Sequence, residues 1–141
     1  MQAEVFLDTS YAIALAAASD QHHASAIAIA GDMEAAGTRL ISTQAVLLEI
    51  GNALAKRRYR KAAVRLLAAL DADPKVEIVP LTVELYKRAF ALFQQRADKE
   101  WGLTDCVSFV LMQERGLTEA LTADEHFRQA GFSVLLSRAS A

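Results

Sequence analysis

Short runs of apolar residues alternate with longer stretches of helical periodicity along the whole chain. Residues 3–7 form the first apolar run and end at Asp8; residues 10–18 read as helix. Asp20 is placed to cap a second helix that runs to Ala36, where Gly37 stops it. A strand at 38–42 precedes a helix over 44–58 and another over 60–70. Pro74 and Pro80 bracket the strand 76–79. Helices at 82–97 and 104–114 follow, the second stopped by Gly116 ahead of a short strand at 120–122. A helical turn over 124–130 and Gly131 lead into a last strand at 133–136. Strands separated by helices predict a mostly parallel sheet covered on both faces, with the ligand crevice at the carboxyl ends of the strands, where the strand order reverses.

The 141 residues suit a single domain spanning 1–141. A net charge of −2 argues against a generally basic surface, so a polyanion would need a local patch or bound metal. The densest basic run is Lys56, Arg57, Arg58, Arg60 and Lys61, interrupted only by Tyr59, and it is the candidate segment for binding such a polyanion. A solvated helix junction is its bland reading. Lys56 is expected on the face of Glu49, two turns along the same helix. One cysteine, Cys106, allows neither an internal disulfide nor a cysteine-based zinc site, and reads as a buried small side chain. The first residues lack a signal-peptide pattern and no apolar run approaches a membrane span, so a cytoplasmic protein is expected.

Four acids fall near the expected crevice. Asp8 follows the first strand, Glu49 lies in the helix after the second, Asp105 opens the helix before the fourth, and Asp124 follows the fourth. Asp105 and Asp124 also stand where an aspartate caps a helix, which is the alternative to a chemical role. Glu49 is expected at the margin of its helix's apolar stripe, with Asn52 on the same face. The helix that Asp105 opens is apolar nearly all round, which predicts burial of that carboxylate and the need of a partner. Four like charges at one crevice repel, by about 4 kcal/mol for a pair 4 Å apart at an effective dielectric of 20. A divalent cation relieves that cost; oxygen ligands favour Mg²⁺ or Mn²⁺, and phosphodiester hydrolysis suits such a site. His22 and His23 read as a solvated helix start, His126 as local helix capping with substrate contact as the alternative, and Trp101 as a hydrophobic anchor rather than a stacking platform.

Leu7-Asp8-Thr9-Ser10, Leu48-Glu49-Ile50-Gly51-Asn52-Ala53-Leu54, Trp101-Gly102-Leu103-Thr104-Asp105-Cys106-Val107-Ser108 and Leu121-Thr122-Ala123-Asp124-Glu125-His126-Phe127 together resemble the PIN-domain nucleases, most closely the VapC-type ribonucleases of toxin–antitoxin pairs. The resemblance covers almost the whole chain, in order. It implies a three-layer α/β/α sandwich around a parallel five-stranded sheet. It also implies a Mg²⁺ or Mn²⁺ site held by catalytic Asp8, Glu49, Asp105 and Asp124, with supporting roles for Ser10, Thr104 and Thr122. RNA as substrate, a homodimer and a small antitoxin as protein partner belong to the same expectation. A nuclease acting on DNA, or a binding module with little activity, is the alternative. A haloacid-dehalogenase-type phosphatase is disfavoured because Ser10 stands where its second aspartate would be; a receiver domain is disfavoured because the third strand ends without an acid.

Overall fold

The computed structural model describes residues 1–136. Five strands, β1 (Glu4–Leu7), β2 (Arg39–Thr43), β3 (Val76–Val79), β4 (Glu119–Leu121) and β5 (Ser133–Val134), form one all-parallel sheet in the order β3-β2-β1-β4-β5. Among the described residues seven helices connect them: α1 (Thr9–Ala16), α2 (His23–Ala36), α3 (Gln44–Ala53), α4 (Arg57–Ala72), α5 (Val83–Gln95), α6 (Leu103–Arg115) and α7 (Glu125–Gln129). The expected three-layer α/β/α architecture is what the chain adopts. β1 occupies the middle of the sheet, and the strand order reverses between β1 and β4. The crevice at their carboxyl ends is therefore where a doubly wound sheet presents a ligand site.

The central strand has no polar interior residue to spare: Val5, Phe6 and Leu7 are all buried, as parallel sheets require. α6 supplies the largest block of the core, burying Cys106, Val107, Phe109, Leu111 and Met112. Phe109 is a hub, edge-on to Trp101 at 5.0 Å and to Phe127 at 4.9 Å. Trp101 is the expected anchor: it is buried, and its indole N–H donates to Gln129 Oε1 at 3.0 Å. Gly37 and Gly116 end α2 and α6 at φ values of 68° and 67°, where a side chain would be strained.

Four local expectations are corrected. The helix read over 44–58 stops at Ala53, and the next begins at Arg57. Leu54 is buried where the chain turns, and the Arg60 guanidinium donates to the Ala55 carbonyl at 2.8 and 3.1 Å, stabilising the break. Lys56 is thus the residue before α4 and shares no helix face with Glu49. Asp20 does not cap α2 directly: its Oδ1 accepts from the His22 N–H at 2.8 Å, forming a turn one step earlier. His23 is not a solvated residue, since its Nδ1 lies 2.7 Å from the Ala14 carbonyl oxygen and ties α2 to α1.

Phe109→Ala is expected to lower unfolding free energy by about 3–5 kcal/mol, because it empties the centre of an aromatic cluster. Urea denaturation of the two proteins measures this, and a destabilisation below about 1 kcal/mol would remove Phe109 from its place as hub.

Candidate metal centre

The main-chain path brings the first acid to the crevice. β1 ends at Leu7, and the Asp8 N–H continues the ladder by donating to the Leu121 carbonyl of β4 at 3.2 Å. The side chain then turns inward and is 5% exposed. Its Oδ2 accepts from the Thr122 hydroxyl at 2.7 Å. Ser10 Oγ lies 2.9 Å from Thr122 Oγ1 and accepts from the Ala123 N–H at 3.0 Å, so the two hydroxyls lock the end of β4 to the start of α1. Among the described residues no cation pairs with Asp8. Burial pushes its pKa up from 3.8 to about 7; the Thr122 hydroxyl opposes the rise, and the charges of Asp105 and Glu49 add to it.

Asp105 stands in the first turn of α6, and its Oδ2 accepts from the Gly102 N–H at 3.0 Å, one half of a capping box, since glycine has no side chain to return the bond. The side chain is 15% exposed. Burial raises its pKa, against the hydrogen bonds from His126 and Gly102, with Asp124 adding to the rise. Asp124 caps α7 by accepting from the His126 N–H at 2.9 Å. Capping and clustering therefore coexist in Asp105 and Asp124; one does not exclude the other.

Glu49 departs from expectation. It is exposed rather than tucked at the core edge, because α3 turns only Ala45, Val46 and Ile50 fully inward. What holds it is Thr9, whose hydroxyl donates to Glu49 Oε1 at 2.6 Å. Glu49 and Thr104 border one cleft of about 210 Å³, together with exposed Asn52. The Thr104 carbonyl accepts from Ser108 Oγ at 3.2 Å.

Two participants are not evident from the sequence. Thr9 is visible there only as part of a motif, and no periodicity pairs it with a residue forty positions away. His126 is not the cap of α7. Its ring Nδ1 lies 2.9 Å from Asp105 Oδ2 and 3.5 Å from Asp124 Oδ1, so it is the partner that the Asp105 carboxylate needs. Desolvation lowers the His126 pKa, but the Asp105 hydrogen bond and the charges of Asp124, Asp105 and Glu100 outweigh it, and the net shift is upward. Cys106, next in the chain to Asp105, is fully buried as expected, with its thiol pushed up to about 11 by burial.

Clustered oxygen donors, one of them deeply buried without a counter-ion, suit a small divalent cation. Among the described residues, Asp105, Asp124 and His126 are the group that offers three ligand atoms within 4.8 Å of one another; Asp8 and Glu49 are not brought into it.

Residues 5–133 match the family model of the PIN domain, and the chain belongs to that family. It is similar to the 23S rRNA-specific endonuclease VapC20 of Mycobacterium tuberculosis, in strains CDC 1551 / Oshkosh and ATCC 25618 / H37Rv alike. Identity is 28% over 128 residues, covering 91% of this chain and 95% of each relative. The crystal structure of VapC20, described there as a sarcin–ricin loop cleaving toxin, superposes with a TM-score of 0.82 at 27% identity, covering 94% of this chain and 99% of that one.

The raised Asp8 pKa has a sign that can be checked. A carboxyl whose folded pKa exceeds its unfolded value favours the fold while protonated. That contribution is whole below about pH 4 and lost as the pH rises through about 7. In chelator at pH 8, Asp8→Asn is therefore expected to be more stable than the parent by a few kcal/mol, at roughly 1.4 kcal/mol per pKa unit. The gap should narrow by pH 5. Denaturant melts at both pH values decide it; an asparagine variant less stable at pH 8 would make Asp8 a structural residue.

Proposed function

We propose that this protein is a metal-dependent endoribonuclease and the toxin of a type II toxin–antitoxin pair, with Asp8, Glu49, Asp105 and Asp124 as its metal-holding catalytic acids. The observation that supports the reading is a buried Asp8 with no cation beside it among the described residues, at the strand-end crevice that also holds Asp105, Asp124 and His126, whose ligand atoms lie within 4.8 Å of one another. The names of the relatives supply the reaction class: VapC20 is an endonuclease specific for 23S rRNA. A structured rRNA loop is accordingly the substrate proposed for this chain.

When bound at these acids, Mg²⁺ or Mn²⁺ would lower the pKa of water and neutralise charge on the phosphate oxygens. The chain's own part is positioning. Thr122 fixes Asp8, Thr9 fixes Glu49, and the Gly102 and His126 N–H groups fix Asp105 and Asp124. Asp8 and Glu49 thus arrive pre-oriented by neutral hydroxyl donors, which preserve ligand charge, while Asp105 and Asp124 also face the His126 imidazole. Ser10 acts one step back, through Thr122.

The polyanion would be drawn in by Lys56, Arg57, Arg58, Arg60 and Lys61, all exposed around the start of α4. Arg60 is partly committed to the Ala55 carbonyl, and Arg58 stacks over the Tyr59 ring at 4.8 Å, so Lys56, Arg57 and Lys61 are the freest to meet phosphates. Protein partners would use a different surface. Val83, Tyr86, Phe90 and Phe93 on α5 and Leu48 on α3 are exposed apolar residues. That surface fits association with a second copy and with a small antitoxin. Among the described residues no helix is long and apolar enough to cross a membrane; the cytoplasm is the proposed compartment.

Cleavage of a stem-loop rRNA fragment is expected in Mg²⁺ or Mn²⁺, to stop in chelator, and to be abolished in Asp105→Asn. The products should carry 5′-phosphate and 3′-hydroxyl ends, since water rather than the ribose 2′-hydroxyl is the nucleophile. Cyclic-phosphate ends or full activity in chelator would refute the mechanism, and equal cleavage of the matching single-stranded DNA would remove the preference for RNA.

Replacing Lys56 and Arg57 by Ala is expected to flatten the dependence of RNA affinity on salt, by about 0.7 in log–log slope for each phosphate left without its cationic side chain. Filter binding of the RNA across a salt series, in a non-cleaving variant, reads it. An unchanged slope would assign the run to solubility.

A further inference from the structure

His126 completes a donor set that the four acids alone leave unbalanced. Asp8 is electrostatically tied to Asp105 and Glu49, and Asp105 to Asp124 as well. Asp105 is common to both sets, but among the described residues only Asp105, Asp124 and His126 bring three donor atoms within 4.8 Å of one another, and this is the half of the site whose geometry is closed.

We propose that His126 Nδ1 is a direct metal ligand, so that this half of the site is a mixed nitrogen–oxygen centre. The inference rests on the metal-dependent reading above and extends it to a residue outside the four acids. Adjacent ligands on an octahedral ion with bonds of about 2.1 Å lie roughly 3 Å apart. Nδ1 stands 2.9 Å from Asp105 Oδ2 and 3.5 Å from Asp124 Oδ1, near that spacing on both sides. The ring hydrogen-bonds Asp105 and lies within ion-pair distance of Asp124, so a cation seated between the two carboxylates would lie beside Nδ1.

The local fold holds it there. The His126 N–H is bound by Asp124 Oδ1, and Phe127, the next residue, is fully buried against Phe6 and Phe109. The imidazole is thus carried on a short, anchored turn, yet it keeps 30% of its surface open, enough for solvent or substrate to reach a shared ion. The consequence is metal preference. Imidazole favours transition ions, whereas carboxylates alone serve Mg²⁺ equally well, so a nitrogen ligand tilts the centre toward Mn²⁺.

Electron spin-echo measurements on the full chain loaded with Mn²⁺ test the assignment without any turnover. A ¹⁴N coupling of directly bound imidazole is expected, as is its disappearance in His126→Asn, which keeps the backbone N–H that Asp124 accepts. Calorimetry should show Mn²⁺ affinity falling at least about tenfold in that variant, the scale on which even supporting residues act, with a smaller drop for Mg²⁺. Mn²⁺ bound without nitrogen coupling, or with a coupling that survives in His126→Asn, overturns the proposal and leaves the four-carboxylate site standing. Mn²⁺ binding that is absent, or indifferent to Asp105→Asn, overturns both.

Discussion

A carboxylate buried at the end of the central strand is the constraint around which the rest of this molecule is arranged. Asp8 is 5% exposed, beside two other acids, and its held partner is a neutral hydroxyl. A buried charge without a counter-ion is costly, and such groups shift their pKa rather than remain ionised. The rise to about 7 is that cost expressed as protonation. The crevice is thus poised between two ways of relieving itself: it takes up a proton, or it takes up a cation. The second keeps every carboxylate available as a ligand.

Holding such a set together requires a rigid frame, and the frame is apolar. β1 is flanked on both sides, by β2 and β4, so the main chain under Asp8 cannot retreat. Ser42 Oγ of β2 donates to the Leu7 carbonyl at 2.8 Å, one residue before Asp8, and adds a cross-strand tie where the ladder ends. On the other side, α6 carries Asp105 on a helix whose following residues fill the core, and α7 carries Asp124 and His126 on a turn pinned by Phe127. The aromatic cluster of Trp101, Phe109 and Phe127 therefore joins the two helices that bring three of the site's donors. Packing energy gained there offsets the repulsion concentrated a few ångströms away, as sites that store strain require.

Much of this is legible in the sequence because it follows local rules. The parallel sheet comes from alternation of element types, the strand ends from Asp8 and the prolines, and the helix stops from Gly37 and Gly116. The four acids stand out because each lies where the fold type puts its crevice. Three things are less accessible. The break between α3 and α4 sits inside a continuous helical pattern, and the buried Leu54 and the Arg60–Ala55 contact that fix it depend on packing. The exposure of Glu49 depends on the direction α3 leaves β2, which periodicity gives only to within a residue or so of the stripe's edge. His126 and Thr9 join the site through contacts 21 and 40 positions apart in the chain, and single-chain periodicity has no reach at that range.

The acids differ in exposure, and the difference bears on how the crevice works. Asp8 is buried, the Asp105 side chain is 15% exposed, Asp124 is 37% exposed, and Glu49 lies open on α3. The deepest charge is screened least by solvent and the outermost most, so field strength falls from Asp8 toward the rim. A cation arriving from solvent meets the screened carboxylates first and gains most by moving inward. A phosphate group faces the opposite gradient: without a cation, the inner acids repel it more strongly the closer it comes. Under the metal-dependent mechanism proposed above, this gradient favours metal before polyanion. The imidazole of His126, at 30% exposure between Asp105 and Asp124, stands on this inward path, where it can trade its contact with the carboxylates for one with the ion they gather.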